Sequence, residues 1–299
     1  MKILVTGGCG FIGSHLVDAL VDLHHEVIVI DDCSADNEKF YFNDKATYHK
    51  VSICDYSSLL NISKGCEFVF HLAAESRLQN AINDPTRAVN VNINGTVNLL
   101  QAVKENSIDG IVFSSTSSIY GLTEQFPITE DNKEDCLNAY ASTKYCAELF
   151  FKNYYNLYNV KSCILRYFNV FGERAPVKGP YALVTGIFLR QKNNNEPLTV
   201  VGDGLQERDF IYVKDVVSAN LKCLHNWKTK SALTKADVFN IGSESTVKIL
   251  NLAKKISSNI SYIEPRKGEA QNNLSCAKKF INATGWSPTI NIMDWLNGQ

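Results

Sequence analysis

Val5-Thr6-Gly7-Gly8-Cys9-Gly10-Phe11-Ile12-Gly13 lies between an apolar run, Lys2 to Val5, and a helix-spaced set, Phe11, Ile12, Leu16, Ala19, Leu20 and Leu23. It reads as a strand, a glycine turn and a helix start. Glycines at 7, 10 and 13 let the backbone turn sharply and approach an anion closely. The helix start adds unpaired N–H groups at the positive end of its dipole. A turn of this kind can also be a plain connection, so these nine residues alone leave a phosphate cradle and a simple loop both open.

The next apolar run, Glu26 to Ile30, ends in Asp31-Asp32, about 20 residues beyond the turn, where a dinucleotide fold carries its ribose-binding carboxylate. A carboxylate there repels a 2′-phosphate, which favours NAD over NADP. Taken singly, Asp31 could be a turn or cap residue. The alternation continues with strands over Tyr48–Ile53, Glu67–His71 and Gly110–Ser115 and a long helix from about Pro85 to Glu105. That rhythm predicts a doubly wound parallel sheet of the α/β class. Leu72-Ala73-Ala74 follow the fourth strand and leave room for a cofactor against its end. His71 reads as a structural side chain, and Asp55 as either an adenine contact or a helix cap.

After Arg166 short strands and irregular segments with Gly172, Pro176, Gly179, Pro180, Pro197, Gly202 and Gly204 replace this rhythm. The division expected is a dinucleotide-binding part over 1–168, to which some later segments can return, and a smaller α/β region over 169–299. The helices around 85–105 and 138–158 carry apolar side chains over more than one core-facing stripe. Deep burial or pairing with a second copy would explain this, and a homodimer through these helices is the expectation.

Composition narrows the function classes. The 299 residues are 45% hydrophobic and 20% charged, ordinary globular values, and a net charge of -1 gives no field for nucleic acid or an anionic membrane. No run of about 18 apolar residues exists. Met1 is followed at once by the first strand, leaving no room for an export signal. The nine cysteines form no Cys-x-x-Cys pair and the six histidines no helical pair, which predicts reduced thiols, a cytoplasmic location and no metal site.

Tyr140-Ala141-Ser142-Thr143-Lys144 stands near the start of the helix over 138–158. Four-residue spacing puts phenol and ammonium on one face, where the cation can lower the phenol's pKa by roughly one to three units. An exposed pair without function has the same spacing. Upstream, Ser114-Ser115-Thr116-Ser117-Ser118-Ile119-Tyr120-Gly121 follows the fifth strand, at the end where open parallel sheets bind ligands. Thr116 could hydrogen-bond a sugar oxygen and the Tyr140 phenol together, or the run could be a serine-rich turn.

The combination of Thr6 to Gly13, Asp31, Thr116, Tyr120-Gly121, Tyr140 and Lys144 resembles the extended short-chain dehydrogenase/reductases. Within them it resembles the NAD-dependent nucleotide-sugar epimerase/dehydratase group. The resemblance extends over Arg166-Tyr167-Phe168-Asn169-Val170-Phe171-Gly172, Gly202-Asp203-Gly204, Arg208 to Val213 and Arg266-Lys267-Gly268-Glu269. It implies a Rossmann-type fold and NAD contacts at Gly7, Gly10, Phe11, Ile12 and Gly13, at Asp31, Ile53 and Asp55, at Leu72, Ala73, Ala74 and Ser114, and at Tyr140 and Lys144. A UDP-sugar would meet Asn169, with Arg208 and Arg266 on its diphosphate and the segment around Val184 along the uridine; either arginine could instead be a surface pair partner. Tyr140 would be the catalytic base, with Lys144 and Thr116 beside it.

Within that group the dehydratases carry an Asp-Glu pair after the threonine, and decarboxylases a glutamate at the second position. Here those positions are Ser117 and Ser118, poor substitutes in proton transfer. The resemblance thus implies 4-epimerisation of a UDP-hexose. Asn273, where glucose-only relatives carry a tyrosine, leaves room for an N-acetyl group that Ser76, Ser117 and Ser118 could contact. One departure stands out: Cys276-Ala277-Lys278-Lys279 lacks the family's helix-capping aspartate, which predicts a local rearrangement there.

Overall fold

Near-continuous apolar runs become strands buried on both faces, as parallel sheets require. The computed structural model describes residues 1–35, 39–76, 78–177, 183–229, 231–264 and 271–298. Its strands are β1 (Lys2–Thr6), β2 (Glu26–Ile30), β3 (Thr47–His49), β4 (Phe68–His71), β5 (Gly110–Thr116), β6 (Ser162–Tyr167), β7 (Asn169–Phe171), β8 (Leu198–Val201), β9 (Glu207–Tyr212), β10 (Lys235–Ile241), β11 (Thr246–Lys248) and β12 (Ile260–Ile263). Seven form one parallel sheet in the order β10-β6-β5-β4-β1-β2-β3. Side chains alternate across it. Ile3 and Val5 join Leu16, Leu20 and Val216 on one face, whereas Leu4 joins Leu99, Val103 and Phe151 on the other.

The strand order reverses between β1 and β4, so the loops after these two strands part and open a crevice at their carboxyl ends. The chain leaves the sheet after β6, forms the small sheets β11-β9-β7 and β12-β8, and returns in between to add β10 beside β6. Among the described residues, no helix is long and apolar enough to cross a membrane.

Three elements differ from the sequence reading. The strand expected to Ile53 ends at His49, because the Val51 N–H turns back to the Asp31 and His49 carbonyls (3.2 and 3.0 Å). The helix expected over 85–105 is α-helical over Pro85–Val89 and Thr96–Glu105 but a wider π turn over Asn90–Gly95. Asn92 on that turn is buried; its Oδ1 accepts the Glu75 N–H (2.7 Å), and its Nδ2 donates to the Glu75 carbonyl (3.1 Å) and to Thr143 Oγ1 (2.9 Å). One side chain thus ties the loop after β4 to the helix Ala139–Tyr158. The third difference concerns the helix Lys278–Thr284, which has no capping side chain of its own. Glu244, distant in sequence, accepts the Ala277 N–H at 3.0 Å.

His71 is structural, as expected. Thr96 Oγ1 donates to the Asn92 carbonyl (2.7 Å), so His71 Nε2 donates to Thr96 Oγ1 (2.9 Å) and Nδ1 accepts from Thr6 Oγ1 (2.7 Å). Burial, reinforced by Lys144, brings the imidazole down from 6.5 to about 3. Between those values the unfolded chain binds one proton more than the folded one. Stability therefore falls as pH falls, by about 1.4 kcal/mol per pH unit from this group, or roughly 2 kcal/mol at pH 5. Urea unfolding of His71→Gln against pH should lose about one proton of that dependence; an unchanged slope would contradict the assignment.

Candidate active site

The crevice between the β1 and β4 loops widens into a cavity of about 400 Å³ that runs on past the end of β5. Its floor is backbone. Gly7 has φ +75°, and a Cβ on it would stand 2.6 Å from the Ala73 nitrogen; a Cβ on Gly13 would overlap the Gly7 carbonyl. Here the glycines keep the turn and the β4 loop packed backbone to backbone, and the helix Phe11–Asp22 begins at the cavity wall. A pyrophosphate fits such a floor because its acceptors meet N–H groups with no side chain between.

Asp31 marks one end. Its Oδ2 accepts the Cys9 N–H and its Oδ1 the Cys33 N–H, both at 2.9 Å, and burial pushes the carboxyl up against these bonds. Each oxygen keeps a second lone pair for a ribose hydroxyl. Asp31→Ala should weaken NAD binding by about 1.5–3 kcal/mol, the range for hydrogen bonds to a charged group, or roughly ten- to 150-fold. Titration calorimetry on the NAD-free chain measures this, and an unchanged Kd would remove Asp31 from the ribose.

At the other end, the Asn138 side chain caps the helix Ala139–Tyr158 by accepting the Ala141 N–H (2.9 Å) and sets the direction of its first turns. Tyr140 and Lys144 then project from one face onto the cavity wall. Lys144 is 3% exposed, with Nζ 4.2 Å from the centroid of the Phe113 ring. Burial brings its ammonium down to about 7, against the pull of Glu148. Burial pushes the Tyr140 phenol up, and a hydrogen bond with Thr116 draws it back. Thr116 also accepts the Ser118 N–H and donates to Ser118 Oγ, both at 3.1 Å, which fixes the hydroxyl cluster after β5.

The cavity brings together Gly7, Gly10, Phe11, Ile12, Gly13, Asp31, Ile53, Leu72, Ala73, Ala74, Ser114, Tyr140 and Lys144, expected at NAD, and Ser76, Thr116, Ser117, Ser118 and Asn169, expected at the sugar nucleotide. Other expected residues lie off its wall. Asp55 caps the helix Tyr56–Ile62, its oxygens taken by Ser57 and by the Ser58 backbone and hydroxyl. Leu183 lines the cavity where Val184 begins a helix. Arg208 sits on β9, donating to the Glu207 carbonyl (2.8 Å). Asn273 accepts from Asn169 Nδ2 at 3.0 Å, one residue behind the wall. Arg266 lies outside the described residues.

Two polar groups escaped the sequence reading. Glu75 lines the cavity next to Ser76, with Oε2 3.0 Å from Arg87 Nε. Behind Lys144, Glu148 is fully buried and accepts from Arg166 Nε (3.0 Å), Arg166 Nη2 (2.7 Å) and Ser115 Oγ (2.5 Å). The signal for Glu148 was present in the sequence: it continues the Tyr140, Lys144 stripe by four residues.

The NAD dependent epimerase/dehydratase family matches residues 3–242. A Lactobacillus helveticus UDP-glucose 4-epimerase is 32% identical over 96% of this chain and 92% of its own. Among solved structures, a UDP-glucose 4-epimerase with UDP-glucose from Thermotoga maritima superposes with TM-score 0.92 at 32% identity, covering 99% of this chain and 96% of the other. A UDP-N-acetylglucosamine 4-epimerase from Methanobrevibacter ruminantium, in complex with UDP-N-acetylmuramic acid, gives 0.90 at 32% identity, covering 99% and 95%. With this family match and a parallel sheet shared with those structures, the chain belongs to the NAD-dependent epimerase/dehydratase family of Rossmann-type enzymes, with NAD as its cofactor.

Proposed function

We propose that the enzyme interconverts the C4 epimers of a UDP-hexose, UDP-glucose with UDP-galactose and UDP-N-acetylglucosamine with UDP-N-acetylgalactosamine. The observation that carries this reading is the composition of the sugar end of the cavity. Tyr140, Lys144 and Thr116 stand there with the hydroxyls of Ser117 and Ser118 where water elimination or decarboxylation would call for carboxylates. Glu75 also lines this end, where Arg87 Nε holds its carboxyl group at 3.0 Å.

NAD supplies reversible hydride transfer at C4. Tyr140 accepts the 4-hydroxyl proton and later returns it, Lys144 stabilises the phenolate, and Thr116 orients the phenol. The 4-keto sugar must turn over between the two transfers. The lining of small hydroxyls leaves it space, while Asn169 on the cavity wall meets the diphosphate; the family resemblance assigns Arg208 and Arg266 to the same group. On this reading residues 1–168 mainly hold NAD and 169–299 mainly the nucleotide sugar. Asn273, one residue behind the wall, bears on the room beside the sugar's 2-substituent through its bond to Asn169. Exposed Val89, Leu149 and Leu157 on the two long helices support pairing of two copies.

Proton NMR of reactions with UDP-glucose, UDP-N-acetylglucosamine and UDP-glucuronate tests the proposal. Galacto-configured product without net consumption of NAD supports it. A 4-keto-6-deoxy sugar, carbon dioxide release or net reduction overturns it.

A further inference from the structure

We propose that Cys9, Asp31 and Cys33 form a capture site for a thiophilic divalent cation such as Zn²⁺, and that cation and NAD exclude one another. The three residues come from two loops. Cys9 lies in the glycine turn after β1, while Asp31 and Cys33 follow β2. The two Sγ atoms and a carboxylate oxygen lie within 4.8 Å of one another. Tetrahedral zinc with Zn–S of about 2.3 Å holds two thiolates roughly 3.7 Å apart, so side-chain shifts of about an ångström suffice to close the site.

The geometry is held before any ion arrives. Asp31 accepts the N–H of both cysteines, each at 2.9 Å, so the residue that would supply the oxygen ligand also fixes the two loops that carry sulfur. Cys33 has φ 54°, a left-handed conformation that a side chain with a Cβ rarely takes, and its N–H bond to Asp31 secures it. Asp31 lines the cavity and Cys33 is half-buried, which gives an ion an approach; Cys9 closes the site from behind at 1% exposure. All nine cysteines are free thiols. The sequence predicted no metal site because the two sulfur residues stand 24 positions apart, and only the pairing of β1 with β2 brings their loops together.

Capture breaks two S–H bonds and forms two metal–sulfur bonds and one metal–oxygen bond. Two protons pass to solvent, a water completes the tetrahedron, and nothing is oxidised or reduced. The carboxylate oxygen bound to the ion no longer accepts a ribose hydroxyl, so a thiophilic metal and the cofactor compete for Asp31. The exclusion rests on the assignment of Asp31 to the ribose; capture itself does not.

The test uses the full chain freed of NAD and titrated with Co²⁺, whose thiolate-to-metal absorption reports sulfur ligation, and then with Zn²⁺ in competition. One equivalent of Co²⁺ should produce the band, NAD should abolish it, and the NAD-loaded chain should not develop it. Cys33→Ser keeps the backbone N–H that Asp31 accepts, so it should bind NAD normally while losing at least half of the band and at least about tenfold in Zn²⁺ affinity. No band in the wild type, an equal band in Cys33→Ser, or metal and NAD bound together would overturn the proposal. No sugar enters this experiment. Metal capture without epimerase activity would therefore count against the 4-epimerase reading alone.

Discussion

Tyr140→Phe is expected to lower turnover by about 10²–10⁴-fold, the usual loss when a positioned general base is removed, while NAD binding is retained. The phenol oxygen alone is deleted; the ring, the helix face and Lys144 stay. Burial makes this phenol a weaker acid and Thr116 pulls the other way; on the proposed mechanism the ammonium one helical turn away stabilises the phenolate. Lys144 in the free protein comes down to about 7, so the pH dependence of kcat/KM should show a limb near neutral pH from its ammonium. Measuring kcat together with bound NAD separates the loss of the base from loss of the cofactor. Turnover within a few-fold of wild type would exclude Tyr140 as the base.

Glu148→Ala is expected to destabilise the fold by about 3–5 kcal/mol, the cost of leaving one partner of a buried ion pair alone. Glu148 is 0% and Arg166 1% exposed, joined by two hydrogen bonds, with Ser115 adding a third to the carboxylate. Burial works against the Arg166 charge, and Glu148 more than restores it. Arg166 also reaches Glu134 at 3.2 Å and lies 4.7 Å over the Tyr120 ring. Removing the carboxylate strands this guanidinium in the interior. Replacing both residues, Glu148→Leu with Arg166→Met, removes the stranded charge and should recover most of the loss. Urea unfolding of the three variants decides; a single-variant loss below about 1 kcal/mol would show that solvent or another group compensates the arginine.

What the sequence disclosed and what it hid divide along a physical line. The glycine turn, Asp31 and the Tyr140, Lys144 pair are local patterns, set by chain geometry over a few residues, and all of them reach the cavity. The cap of the helix Lys278–Thr284 comes from Glu244, and the support of Lys144 comes from Arg166 through Glu148. No window of sequence contains both members of either pair. The π turn at Asn90–Gly95 is intermediate: the helix around it follows from local spacing, but the inward rotation of Asn92 follows from partners at Glu75 and Thr143. Asp55 shows the reverse case, a local cap motif that satisfied itself at Ser57 and Ser58 away from the cavity.

The position of β10 has a consequence for synthesis. A ribosome that has made residues 1–168 has released six strands of the parallel sheet, but β6 then ends the sheet with the N–H and C=O groups of one side unpaired. That edge, Ser162–Tyr167, is buried in the finished fold and is covered only when Lys235–Ile241 emerges and docks. Through that interval the nascent chain carries an open template for strand addition by other chains. Chains truncated between these points should aggregate, whereas chains extended past Ile241 should remain in solution.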